Sequence, residues 1–358
     1  MKHNEQKHIR RIRPSRIILP MILGLAVILY FISKDMKSLD LSLIVFSWYT
    51  ILFIFLAFIL MFLRDFGYVI RLRILSAGKL SWIQCLRIIL LWEFGSAVTP
   101  SVIGGTGIAT FFIWKEGLPI GKSTAIVAAT SFLDELYFSL MFPIIFILFS
   151  NNDLFVIQGA ETYINQFFYF ALIGYLFKFS WTIFMAYSIF VNPKLIGKFI
   201  STIFKLWILK KWRNKAVKFG EDFKISSDQL KSKPLKFWLK AGLATFLSWT
   251  SRYWVLNFLI LALVSSLIIE RVDYFVPIAE HLLIFARQLI MWIMMLVIPT
   301  PGGSGFIETV FLNYMADFIP VVGFVAIMAL VWRLVTYYPY LIIGAIISPK
   351  WVNKHFVK

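Results

Sequence analysis

The sequence predicts an all-α polytopic membrane protein, with about six full spans plus two opposed re-entrant hairpins in an inverted-repeat arrangement and both termini in the cytoplasm. Three observations lead there. Hydrophobic residues make up 60% of the 358 positions and charged residues 15%, against roughly 45–50% and about 25% in soluble domains. Apolar runs of about 20 residues recur from end to end, each long enough to cross a hydrocarbon core of about 30 Å. Two of these runs are broken by proline and glycine at positions with related sequences.

The 36 Lys and Arg against 18 Asp and Glu cluster at the ends of the apolar runs. That is the pattern of the positive-inside rule and of attraction to anionic lipid heads, and nucleic acid is not an expected partner. Cys85 is the sole cysteine, which excludes an internal disulfide and a two-thiol redox or zinc site. Among the histidines only His281 lies near a span, so no metal site and no cofactor are expected.

Taken in order, residues 1–16 form a basic cytoplasmic tail containing Arg10, Arg11, Arg13 and Arg16. No small-residue cleavage site follows the first apolar stretch, so residues 17–33 read as a retained span. A second span, 43–63, returns to the cytoplasm at Arg64, Arg71, Arg73 and Lys79. With Arg87, these arginines are expected to snorkel at the boundary.

Residues 81–117 contain the break Thr99-Pro100-Ser101-Val102-Ile103-Gly104-Gly105-Thr106-Gly107, where no helix should continue. The next span, 123–149, ends in Asn151, Asn152, Asp153 and Glu161 without a cation, which marks an external loop. Its start is therefore cytoplasmic, and residues 81–117 enter and leave on one side as a re-entrant hairpin.

A span over 166–190 leads to the basic cytoplasmic loop 192–240. There Lys194, Lys198, Ser201 and Lys205 oppose Ile196, Phe199, Ile203 and Trp207 as in an interfacial helix. The span 241–266 goes outward to Glu270, Arg271 and Asp273. Residues 277–316 carry the second break, Pro299-Thr300-Pro301-Gly302-Gly303-Ser304-Gly305, and counting spans makes this hairpin enter from outside. The last span, 321–347, leaves the tail 348–358 in the cytoplasm. All 358 residues form a single transmembrane domain.

Broken helices leave backbone groups without partners, and lipid cannot supply any. Gly104, Gly105, Gly107, Gly302, Gly303 and Gly305 let the backbone turn and approach a ligand, while the helices after each break aim N–H groups at an anion. Close packing through small residues is the alternative use of such glycines.

Charges inside apolar stretches cost about 2.5–3.5 kcal/mol at mid-depth and should pair or face water. Arg252, Arg287 and Arg333 are the candidates for a lipid phosphate, whose oxygens match a guanidinium fork. Glu93, Asp134, Glu135 and Glu308 are the acidic candidates. They form either a network holding the halves together or, at Asp134 and Glu135, a proton-carrying pair.

Three segments resemble the transmembrane, flippase-like domain of the lysylphosphatidylglycerol synthase family: TPSVIGGTGIATFFIWKEGLPIGKSTAIVAATSFLDELYF, PTPGGSGFIE and WRLVTYYPYLIIG. The likeness covers almost the whole chain. It implies a cell-membrane protein that handles lipid. Gly104, Gly105, Gly107, Glu135, Gly302, Gly303, Gly305, Glu308 and Arg333 stand at the family's motif positions. Full-length members join this domain to a soluble aminoacyl-transferring domain, which this sequence has no room for, so lysyl transfer is not expected.

Three functions are then open. A translocase or binding transporter for an anionic or aminoacylated phospholipid or a lipid-linked headgroup comes first. An enzyme acting on a lipid-linked substrate, such as a glycosyl or phosphoryl transferase, with Asp134, Glu135 or Glu308 as base, is the second. A scaffold for a separately encoded lipid-modifying enzyme is the third.

Overall fold

The computed structural model describes residues 22, 25–33, 40–99, 104–157, 161–192, 195, 202, 224–225, 227–267, 277–295, 300 and 303–356. Their regular structure is helical, apart from an isolated antiparallel bridge between Ile44 and Leu267. The basic tail 1–16, the interfacial helix expected near 194–207, the loop holding Glu270, Arg271 and Asp273, and Pro100, Pro299, Pro301 and Gly302 lie outside the described residues.

Helix α1, Trp48–Leu75, starts at a reciprocal cap in which Ser47 and Thr50 each bond the other's backbone N–H. Its 28 residues extend about 42 Å at roughly 1.5 Å per residue, well beyond a bilayer core. The apolar run alone predicts an end at Leu63. The helix continues because Arg64, Gly67 and Arg71 face protein on its buried side.

Helix α2, Trp82–Val98, is capped by Ser81 and Gln84 and stops at Thr99, whose hydroxyl donates back to the Gly95 carbonyl at 2.7 Å. Helix α3, Gly104–Lys115, begins beyond the first break and packs against α2. Two glycines permit this approach. A Cβ on Gly95 would lie 2.8 Å from Ile108, and one on Gly105 would lie 2.7 Å from the Ser96 hydroxyl.

Then come α4 (Ile120–Leu148), the short α5 (Asn151–Phe155), α6 (Ile164–Phe190), α7 (Leu235–Val264) and α8 (Ile278–Met295). The second break follows α8, and α9 (Phe306–Tyr314) packs against α8 in turn. Gly303 and Gly305 turn the chain there with φ of 67° and 88°, a region that favours glycine. Helices α10 (Val325–Thr336) and α11 (Tyr338–Phe356) complete the set. They part at Tyr337, two residues before Pro339, which has no N–H to continue the ladder.

Among the described residues, six helical stretches are long and apolar enough to cross a membrane: α1, α4, α6, α7, α8 and the run Val322–His355. The number matches expectation, but the members differ. The span expected at 17–33 lies partly outside the described residues, with 25–33 helical. Helix α8, read as one arm of a hairpin, has the length and hydropathy of a full crossing.

Helix α1 packs along α7. A Cβ on Gly67 would stand 2.3 Å from the Ser248 hydroxyl and 2.8 Å from the Ala244 carbonyl. Thr50 and Ser265 hold the opposite end of the pair through their hydroxyls at 3.2 Å. Outward residues such as Phe55, Phe62, Ile147 and Phe177 remain exposed and form the apolar jacket that faces lipid.

Candidate functional site

A cavity of about 340 Å³ lies among α1, α2, α4, α7, α8, α9, α10 and α11, reached by residues flanking both glycine breaks. Its walls are aromatic: Trp92, Trp249, Trp292 and Trp332 with Tyr68, Tyr253, Tyr337 and Tyr340. Set among them are Arg71, Arg252, Arg333, Glu93 and Asp134. An apolar pocket with a few convergent polar groups is the usual form of a ligand site.

The charges divide into tied and untied groups. Arg71 lies 2.5 Å from the Asp134 carboxylate, which also accepts from the Trp249 indole at 2.7 Å. Glu93 pairs with Arg64 at 2.5 Å, and Arg64 is also 2.9 Å from Asp65. Tyr68 and Tyr340 flank the Arg64 guanidinium, with ring centres 5.1 and 4.8 Å away. Arg333 donates to Glu308 at 2.7 Å, while the other Glu308 oxygen accepts from the Gly305 N–H at 2.7 Å.

Arg252 is different. It lines the cavity, half-buried, with its guanidinium 5.4 Å from the Trp249 ring centre. Among the described residues no carboxylate lies within ion-pair distance of it. Arg71 and Arg333 are matched by Asp134 and Glu308, and Arg64 serves both Asp65 and Glu93, so Arg252 balances the charge of that group through space while its guanidinium touches no carboxylate among the described residues.

Of the residues singled out from sequence, the cavity thus gathers Arg252, Arg333, Glu93 and Asp134. Arg287 is elsewhere. It is buried against Asp317 at 2.8 Å and donates to the Asp153 and Tyr314 carbonyls, joining α8 to α5 and α9. Glu135 points the other way from its neighbour Asp134 and pairs with Lys178 at 2.8 Å, whose ammonium stands 3.4 Å from the centre of the Trp292 ring. Glu308 is 1% exposed and serves the start of α9.

Gly105, Gly107, Gly303 and Gly305 shape the breaks and do not line the cavity; Gly104 opens α3, and Gly302 is outside the described residues. Arg64 and Arg71 correct the expectation of snorkelling. Both are under 5% exposed and engaged with carboxylates from α2 and α4. Their burial follows from the length of α1, which carries them past the apolar run and onto the protein's inner face. Tyr337 lies in the segment WRLVTYYPYLIIG but is not among the residues singled out from sequence, yet its hydroxyl donates to the Ala97 carbonyl at 3.1 Å and accepts from Ser304 at 3.5 Å, linking the two breaks.

The family model of the lysylphosphatidylglycerol synthase TM region matches residues 17–344. The chain belongs to this family. A UPF0104 membrane protein of Archaeoglobus fulgidus is 26% identical over 300 residues, covering 81% of this chain and 84% of that protein. No solved structure matches. The family match and the six apolar helices identify a multi-pass membrane protein with a lipid-related role.

Proposed function

We propose that the protein is a lipid translocase that receives the phosphate of an anionic phospholipid at Arg252, inside the aromatic cavity between the two glycine breaks. The observation that carries this reading is the guanidinium of Arg252, which lines the cavity with no carboxylate in contact among the described residues, whereas the other arginines there are each bonded to one. A guanidinium fork binds phosphate oxygens through charge-assisted bonds. The aromatic walls suit the glycerol backbone and the displaced apolar surface. The glycine breaks between α2 and α3 and between α8 and α9 would gate the cavity, and the acyl chains stay in lipid.

The test is movement of a labelled phosphatidylglycerol between leaflets of proteoliposomes, with phosphatidylcholine as comparison. Losing one charge-assisted bond, about 1.5–3 kcal/mol, corresponds to a slowing of roughly 10- to 100-fold in Arg252→Gln. Arg252→Lys keeps the charge and loses the fork, and should fall between. A folded wild-type protein that moves no labelled lipid under any proton or cation gradient would sink the proposal.

A further inference from the structure

A second cavity, of about 300 Å³, lies away from the aromatic one, where the α1–α2 turn, the first turn of α4 and residues 229–233 ahead of α7 meet. Lys79, Lys122 and Lys233 line it, each from a different one of these segments, and among the described residues no Asp or Glu does. Asp228 is exposed on the neighbouring stretch but is not part of the lining. Lys122 is half-buried, and the charges acting on it are Lys79 and Lys233, both of its own sign.

Like charges brought together without a counter-ion among the described residues oppose folding. The chain nevertheless builds the cluster with some care. The α1–α2 turn passes through two left-handed residues, Ala77 at φ 54° and Gly78 at φ 73°, before reaching Lys79. Alanine rarely adopts that conformation. The first turn of α4 has no side-chain cap, because Pro119 precedes it, so its N–H groups add to the positive end of a 29-residue helix. Gln229 brings an amide to the same lining, and beneath the lysines the floor is apolar, with Leu75, Ala125, Ile126 and Leu230 all buried.

We infer that this three-lysine cavity is a binding site for a phosphomonoester, either the headgroup of phosphatidic acid or the free phosphate anion. A phosphomonoester carries about −1.5 to −2 charge at neutral pH, against about −1 for a phosphodiester headgroup, and so answers three lysines better. Lysine is a usual point-charge partner of phosphate. The apolar floor favours the lipid source, since it accepts the first methylenes below the glycerol. The site stands on its own observations and is independent of the role assigned to Arg252.

The experiment uses the full chain in mild detergent, with native mass spectrometry after addition of phosphatidic acid, phosphatidylglycerol or phosphatidylcholine. Phosphatidic acid should be retained over the other two, and Lys79→Gln/Lys122→Gln/Lys233→Gln should lower its retention at least about tenfold, as expected for three lysine contacts. Lys236→Gln/Lys240→Gln, on lysines outside the cavity, should leave retention unchanged and controls for general surface charge. Protection against heat by millimolar inorganic phosphate, present in the wild type and absent in the triple variant, without any lipid preference, assigns the site to the free anion. Equal losses in the two variants, or neither lipid preference nor phosphate protection in a wild type that melts cooperatively, overturns the inference.

Discussion

Tyr337 donates its hydroxyl to the Ala97 carbonyl at 3.1 Å, and this bond fastens the α10–α11 junction to the last turn before the first glycine break. Ser304, in the second break, donates to the same hydroxyl at 3.5 Å. The two breaks are therefore joined through one phenol. Tyr337→Phe leaves a buried carbonyl without its donor and should cost about 1–3 kcal/mol. Tyr338 supplies the contrast, since its buried hydroxyl has no partner among the described residues. Tyr338→Phe should be neutral or stabilising. Unfolding of both variants in detergent, followed by circular dichroism, reads the difference, and equal losses would count against the linkage.

The Arg333–Glu308 pair is 5% and 1% exposed and is tied to the backbone of the second break through the Gly305 N–H. Arg333→Met strands a buried carboxylate and should cost about 3–5 kcal/mol. Adding Glu308→Gln removes the stranded charge, so the double variant should be less destabilised than the sum of the singles. Additive losses in a full double-mutant cycle would show that the two side chains act separately.

Three glycines with different surroundings should respond differently to alanine. A Cβ on Gly344 would lie 2.1 Å from the Phe94 ring, and one on Gly67 would meet the Ala244 backbone oxygen at 2.8 Å. Overpacking of this kind costs about 1–3 kcal/mol. A methyl added to Gly107, in α3, would meet nothing within 4 Å, so Gly107→Ala should gain up to about 1 kcal/mol in helix propensity. Melting temperatures order the three. Slower lipid movement in a fully stable Gly107→Ala would further indicate that the open face of α3 meets substrate.

Glu116, between α3 and α4, accepts from the Trp351 indole at 2.8 Å, from Arg87 at 3.0 Å and from Gln84 at 3.2 Å. Burial pushes its carboxyl up, but the bonds from Trp351, Gln84 and Arg87 outweigh burial and hold it below the ordinary value of 4.5. A depressed carboxyl stabilises the fold above its unfolded pKa, and that contribution is lost as pH falls through the folded value. Wild type should therefore be more stable than Glu116→Gln at neutral pH, with the gap closing below about pH 4.5. A gap independent of pH would mean that Glu116 is neutral in the folded protein.

Helices and breaks were legible because their causes are local. Proline and glycine between Thr99 and Gly107 end α2 whatever surrounds them, and long apolar runs have few alternatives to crossing a membrane. The partners of the buried charges were not legible in the same way. Arg71 and Asp134 are 63 positions apart, and nothing in either neighbourhood marks the other. Arg64 and Arg71 follow an apolar run, which in sequence looks like a boundary; only the continuation of α1 against α7 turns them inward. Arg252 was visible as an intramembrane cation. Its lack of a carboxylate partner was not, because that depends on where every acidic side chain points.

Phe94 rests on Gly344, and Glu116 is held by Trp351, so the walls of the earliest hairpin come from a helix that leaves the ribosome long after it. Trp351 follows Glu116 by 235 residues, which at about 5–20 residues per second is roughly 10–50 s of synthesis. During that interval the part already inserted waits in the bilayer with one flank uncovered. A chain stalled before α11 would leave the Phe94 ring and the Glu116 carboxylate without the surfaces that cover them, so the first helix pair is completed only when the last helix arrives.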